Sequence, residues 1–298
     1  MTTRMIGGLS SSSVSARVVK GLVLAVCCAL VVFPFIGIVS TSLATRAEVT
    51  RAGGFVLFPG KISFAAYQAI LSGGVVTRAT LVSVFITVVG TALSLAATSL
   101  LAYGLSRGRS LFHKPFLMVV LVAILFAPGI IPSYLVVKSL GLLDSYWSLI
   151  LPVAINAFNV VVLRAFFMEL PGEVIDSARI DGAGDLATFW RIVLPMSKAV
   201  LAVIGLFYAV AYWNNFFTAL LYLQDLAKYP LQLILRTYVV NQAQIGVDQL
   251  GGTSGAALPP QEALEMAILV LSIVPILLVY PFVQRHFTKG VLIGAVKG

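Results

Sequence analysis

The chain has 298 residues, 59% of them hydrophobic and 10% charged, and 20 Lys and Arg against 11 Asp and Glu give it a formal net charge of +9. A water-soluble domain devotes about a quarter of its residues to charge, so lipid is the solvent for most of this chain. The basic residues stand singly between apolar runs instead of gathering on one face, which excludes a nucleic-acid-binding surface. Cys27 and Cys28, the only cysteines, are neighbours in an apolar run without a CxxC or His-containing pattern, so they define neither a disulfide framework nor a metal site.

A bilayer core takes about 20 apolar residues as a helix. Six stretches of that order lack Asp, Glu, Lys and Arg: Gly21 to Thr45, Ala79 to Ser106, Pro115 to Val137, Ser145 to Leu163, Ala199 to Gln224 and Met266 to Gln284. Arg4, Arg17 and Lys20 before the first, and Ser42 and Ala44 after it, resemble a signal peptide, but the apolar run is too long for an h-region and is read as an uncleaved helix. Pro34, Pro128, Pro132, Pro152 and Pro275 predict kinks or breaks inside the spans.

Six spans place both ends of the chain on one side of the bilayer. That side, counting the tails and the second and fourth loops, holds thirteen Lys and Arg, and the other side holds seven. The positive-inside rule therefore puts both termini in the cytoplasm. The predicted organisation is a cytoplasmic tail over 1–20, a transmembrane domain over 21–284 and a second cytoplasmic tail over 285–298. Two sizeable outer segments, Arg46 to Arg78 and Asp225 to Glu265 with its Gly251, Gly252, Gly255, Pro259 and Pro260, could each meet an external partner, and the Gly/Pro-rich part reads equally as a flexible connection.

The cytoplasmic loop over 169–198 is long, polar and patterned. Pro171 suits a first helical turn, and Glu173 and Asp176 complement the positive end of a short helix. Val174, Ile175 and Ala178 share one face until Gly182 and Gly184 interrupt it. Asp185 then caps a second short helix with Leu186, Phe189 and Trp190 on a single face, and Pro195 marks the joint into the fifth span. Two amphipathic helices joined at glycine suit a groove on a partner protein or the headgroup layer. The acids Glu173, Asp176, Asp181 and Asp185 favour the protein partner, because a lipid-facing helix would be more basic.

The same loop resembles the EAA signature of binding-protein-dependent ABC importer permeases: E-A-A, three residues, Gly, nine residues, I-x-L-P. Here the pattern is Asp176-Ser177-Ala178, then Gly182, then Ile192-Val193-Leu194-Pro195, with complete spacing and with Asp176 and Ser177 in place of the usual Glu and first Ala. Similarity continues through Ala102 to Arg107, Ile131 to Tyr134, Leu140 to Leu142, Leu151-Pro152 and the tail Gly294 to Gly298, and is nearest to carbohydrate-uptake permeases of the maltose second-subunit type and their complex-oligosaccharide relatives. The resemblance implies an all-α integral membrane protein of six transmembrane helices with a cytoplasmic coupling-helix loop, in the bacterial plasma membrane. It implies that Glu173, Asp176, Ala178, Asp181, Gly182, Ile192, Leu194 and Pro195 dock on a separate ATPase, which Lys297 and Gly298 also touch. The implied partners are a second permease, two ATP-binding subunits that hold ATP and Mg, and an extracytoplasmic solute-binding protein. This chain itself would carry no cofactor.

Such a permease moves a polar solute without covalent chemistry, so its path needs amides and aromatic faces inside the spans. Asn156 and Asn159 in the fourth span and Tyr208, Tyr212, Trp213, Asn214 and Asn215 in the fifth are the candidates. Intramembrane Asn also joins helices, and Trp and Tyr also mark the membrane interface. His113 and His286 have no paired ligand, no nucleophile has an activating partner, and the P-loop-like Gly60-Lys61 has Phe55 and Ile62 where Gly and Ser or Thr are required, so no enzyme site is read. The alternative class, an ion-gradient-driven secondary transporter, places ionisable groups within the membrane, and the six spans contain none.

Overall fold

The structure, a computed structural model, describes residues 14–72, 74–108, 113–241, 243 and 259–295. The expected contact residues Lys297 and Gly298, and the glycines at 251, 252 and 255, lie outside the described residues. The described elements are helices throughout, and the chain divides into two compact units, Met1–Gln68 with Pro259–Val270 and Ala69–Leu258 with Leu271–Gly298.

In the first unit, α1 (Val14–Ser42) has 29 residues. At 1.5 Å per residue it is roughly 44 Å long, more than a bilayer core requires. Pro34 lies within it without ending it, and Leu22, Leu24, Leu30 and Phe33 are exposed, a surface that lipid or another chain must cover. A short α2 (Arg46–Ala52) follows. Glu48 in its first turn accepts hydrogen bonds from Thr45 N–H (3.0 Å) and from Gly60 N–H (2.7 Å) and Lys61 N–H (3.0 Å), so one carboxylate clasps the following outer loop. These bonds, that from Thr45 foremost, hold its pKa below the usual carboxylate value. The chain leaves the loop through α3 (Ala65–Leu71).

The second unit is built around α4 (Val75–Ser106), an uninterrupted helix of 32 residues. The expected third span, Pro115 to Val137, is instead two shorter helices, α5 (His113–Leu125) and α6 (Ile130–Ser139). Pro128 cannot donate a backbone hydrogen bond, and Gly129 takes a left-handed φ of +80°, so the chain breaks there. The expected fourth span is bent by 50° between α7 (Trp147–Ile150), extended as a tighter turn to Val153, and α8 (Ala157–Met168). Pro152 and the capping Asn156 mark this break, the Asn156 carboxamide oxygen accepting from Asn159 N–H at 3.1 Å.

Three short helices then build the loop over 169–198: α9 (Gly172–Ile180), α10 (Asp185–Thr188) and α11 (Leu194–Met196). The segment that they end meets α12 (Lys198–Trp213) at 85°. The expected fifth span pauses again at Asn214 before α13 (Phe217–Tyr222). Leu231–Val240, expected within an outer loop, is helical from α14 (Leu231–Leu235) onward, with Leu231, Leu233 and Ile234 fully buried. α15 (Gln261–Ala295) closes the chain.

Among the described residues, three helices are long and apolar enough to cross a membrane, or up to five spans if each bent pair counts as one. The core of the second unit lies where α12 and α8 pack along α4, with Ile86, Ile150, Ile204 and Leu233 at its centre near one end and Ala102, Leu163, Phe189 and Val193 near the other.

Candidate functional site

The residues of the signature lie on a folded, mostly exposed loop. In α9, Ile175 and Ala178 turn inward, whereas Glu173, Val174, Asp176 and Ile180 face out, Ile180 at 87% exposure. Gly182 ends the helix at φ +83°, a conformation that glycine reaches without a Cβ penalty. Around it Ala183 N–H donates to Ala178 O at 2.9 Å and Gly182 N–H to Arg179 O at 3.0 Å. A Cβ on Gly182 would meet nothing within 4 Å, so only backbone strain opposes a side chain within this chain. Arg179 reaches across the turn, 4.0 Å from Asp176 and 3.4 Å from Asp185, and both of these acids are largely exposed.

Three expectations for the loop fail. Val174 is exposed at 40% and does not share the buried face of Ile175 and Ala178. Asp185 does not cap the second helix: Gly184 is the N-cap residue, Asp185 is the first residue of α10, and no side chain makes a capping bond there, the Asp185 carboxylate turning to Arg179 instead. Leu186, Phe189 and Trp190 do not share a face: Phe189 is buried, while Leu186 and Trp190 are exposed at 65% and 60%. From Phe189 to Val193 the helix widens into a π turn, which breaks the 3.6-residue register on which the shared face depends. Phe189 instead packs 5.0 Å from the Tyr103 ring of α4, and Tyr103 also meets Phe167 edge-on at 6.4 Å. Behind the signature, Ile192 and Leu194 are half-buried, Val193 is fully buried and Pro195 is exposed. What remains outward is an apolar set, Ile180, Leu186 and Trp190, bordered by Glu173, Asp176, Asp181 and Asp185.

A second assembly forms at the Asn156 break. Asn156, Asn159, Tyr208, Tyr212 and Asn215 line one concavity of about 440 Å³, together with Phe158, Phe207 and Thr218. The two tyrosine hydroxyls are spent on structure. Tyr208 Oη accepts from Asn156 N–H at 2.9 Å and lies 2.6 Å from Thr98 Oγ1, and Tyr212 Oη donates to Ile150 O at 3.2 Å and lies 2.8 Å from Ser94 Oγ. Their rings line the concavity while their hydroxyls tie the helix break to α4. Asn215 caps the next turn, accepting from Thr218 Oγ1 at 2.6 Å. Among the described residues the Asn159 side-chain amide makes no hydrogen bond, although the residue is 5% exposed.

Trp213 and Asn214 do not join this group. Trp213 Nε1–H donates to Ser272 O at 2.9 Å beside a separate apolar pocket, and Asn214 donates to Val210 O at 3.0 Å on an exposed turn. Phe158, between the two asparagines in sequence, and Thr218, three residues after Asn215, belong to the concavity, and their spacing from the candidate asparagines was the available signal.

At the expected outer side, Asp144 joins the loop before α7 to the turn after α13, in a left-handed conformation of φ +56°. Its carboxylate pairs with Lys228 Nζ at 2.5 Å and accepts from Gln224 and Asp225 N–H at 3.1 Å each, and its own N–H donates to Tyr222 O at 2.7 Å. The Lys228 bond, then the two backbone donors, lower its pKa to about 2.

Apolar helices broken at polar caps, a concavity of amides and aromatic rings, and an exposed amphipathic loop together define a membrane permease that carries a polar solute. Residues 94–293 match the family of binding-protein-dependent transport system inner membrane components, to which this chain belongs. It is the permease subunit of an ABC importer and a multi-pass membrane protein. It is 49% identical to the polygalacturonan/rhamnogalacturonan transport system permease protein YtcP of Bacillus subtilis, over 90% of this chain and 93% of that one. It is 47% identical to protein LplC of the same organism, over 91% and 90%. In structure it resembles a chain from a bacterial ABC transporter involved in the import of the acidic polysaccharide alginate, with a TM-score of 0.85 and 31% identity over 95% of this chain and 100% of that one.

Proposed function

We propose that this permease forms half of the path for an oligosaccharide, of the acidic class named for its relatives, in a bacterial inner membrane. The observation that carries the reading is the concavity at the Asn156 break, where the unengaged Asn159 amide lies among the rings of Phe158, Phe207, Tyr208 and Tyr212. Amides bond sugar hydroxyls and aromatic faces cover the apolar face of a pyranose ring. No Lys or Arg lines it, so a uronic acid's charge is met elsewhere in the assembly.

In this reading α5 and α6 are one broken span, which gives six spans with both termini in the cytoplasm, as the thirteen-to-seven distribution of Lys and Arg favours. A second permease completes the path, a solute-binding protein delivers the sugar from outside, and two ATPase subunits bind ATP and Mg. The signature loop docks on one of these through Ile180, Leu186 and Trp190, with Glu173, Asp176, Asp181 and Asp185 at the rim, and Lys297 and Gly298 reach the same subunits.

The test is uptake of a labelled oligogalacturonide by cells producing the whole transporter with Asn159→Ala. Loss of one sugar hydrogen bond corresponds to about a 3- to 10-fold decrease in uptake at limiting solute. Unchanged uptake, with the variant at normal level in the membrane, would remove Asn159 and its concavity from the path.

A further inference from the structure

We infer that Tyr103 is the positioning residue through which the cytoplasmic loop drives α4, and through α4 the two tyrosine struts of the solute concavity. The inference rests on the loop docking to the ATPase, as proposed above.

The residues form an unbroken mechanical series. Tyr103 is buried near the cytoplasmic end of α4, and its Oη–H donates to Asp185 O, in the first residue of α10, at 3.2 Å. Its ring is held by Phe189 and Phe167 and by the Arg107 guanidinium, 4.7 Å from the ring centroid. About one and a half and two and a half turns back along the same helix, Thr98 and Ser94 are fully buried and engage Tyr208 and Tyr212. Those tyrosines in turn hold Asn156 N–H and Ile150 O, at either end of the break between α7 and α8. α4 has no proline or break between Ser94 and Tyr103, and the stretch is roughly 14 Å of continuous helix.

The two kinds of contact at Tyr103 differ in what they transmit. Ring packing of Phe189 on Tyr103, the loop's aromatic contact with α4, tolerates a range of offset and tilt and so holds the loop only loosely in register. The hydroxyl bond to Asp185 is directional and fixes the register between them. Removing only the hydroxyl should therefore leave the loop folded and able to dock while loosening the movement of loop and helix as one body.

The experiment uses the complete transporter in proteoliposomes with solute-loaded binding protein. For Tyr103→Phe we expect ATPase subunits to co-purify as in the wild type and basal hydrolysis to be unchanged. Binding-protein-stimulated hydrolysis and uptake should fall together, by about 3- to 10-fold for the loss of one hydrogen bond. Thr98→Val, further along the series, should lower stimulation comparably, and the double variant should lose no more than the worse single variant, because the two act in one linkage. Wild-type stimulation in Tyr103→Phe, full addition of the two effects, or an equal fall in basal and stimulated hydrolysis would overturn the inference. Failure of the docking reading shows elsewhere, as unchanged ATPase retention when the Gly182 turn is distorted.

Discussion

Gly182 shows how much one backbone angle can decide. With φ at +83°, any L residue there gives up about 1 to 2 kcal/mol, and the open space around the position means that strain, not collision within this chain, is the cost. Gly182→Ala should therefore weaken ATPase co-purification measurably and Gly182→Val sharply, whereas Gly182→Asn should be milder because asparagine tolerates the left-handed region. Asp176 belongs to a different category of contact. Its side chain is 72% exposed and its pairing with Arg179 spans 4.0 Å, so Asp176→Ala should cause a smaller loss than Gly182→Val, and Asp176→Glu should be tolerated. Co-purification of the ATPase with each purified variant measures the order, and retention of the ATPase by Gly182→Val would contradict it. The glycine was legible in the sequence because its spacing within the signature is local. Tyr103 was not, because its partner Asp185 is 82 residues away and no local pattern announces the pairing.

At the scale of elements, prolines marked two of the helix breaks correctly, at Pro128 and Pro152, since a missing N–H acts wherever the chain goes. The shared face of Leu186, Phe189 and Trp190 was misread, because the helix changes period in the π turn from Phe189 and Phe189 packs on Tyr103, which is distant in sequence. Pairing between loops was equally hidden: Asp144 and Lys228 are 84 residues apart, yet they staple the loop before α7 to the turn after α13. Because the folded Asp144 carboxyl titrates at about 2 rather than 3.8, the staple stabilises fully above about pH 4, and its contribution is lost as pH falls toward about 2. Its partner Lys228 is raised above 10.5, chiefly by the Asp144 bond, so the plateau extends to alkaline pH. The difference in thermal stability between wild type and Asp144→Asn, a change that keeps a residue tolerant of φ +56°, should be constant from about pH 5 to 8 and vanish near pH 2. A difference that persisted undiminished at pH 2 would mean that the ion pair is not its source.

For the whole molecule, membrane residence was readable from composition alone, while the arrangement of spans was readable only in part. Long uninterrupted helices such as α1 and α4 declare themselves by length, but the segment from Pro115 to Val137, legible as one apolar run, is two helices broken at Pro128 and Gly129. Side chains exposed at opposite ends of the proposed topology can be tested by labelling. In a background lacking Cys27 and Cys28, a cysteine at Ile62 should react with a membrane-impermeant thiol reagent in intact cells, and one at Leu186 only after permeabilisation. The reverse pattern would invert the topology and remove the loop from the cytoplasmic side. The central claim, that energy enters through an ATPase docked on that loop, is tested most directly by solute uptake into proteoliposomes holding both permeases, the ATPase and external binding protein. Uptake should require hydrolysable ATP inside the vesicle and persist when ionophores abolish every ion gradient. Uptake without ATP that collapses with an ion gradient would contradict the account.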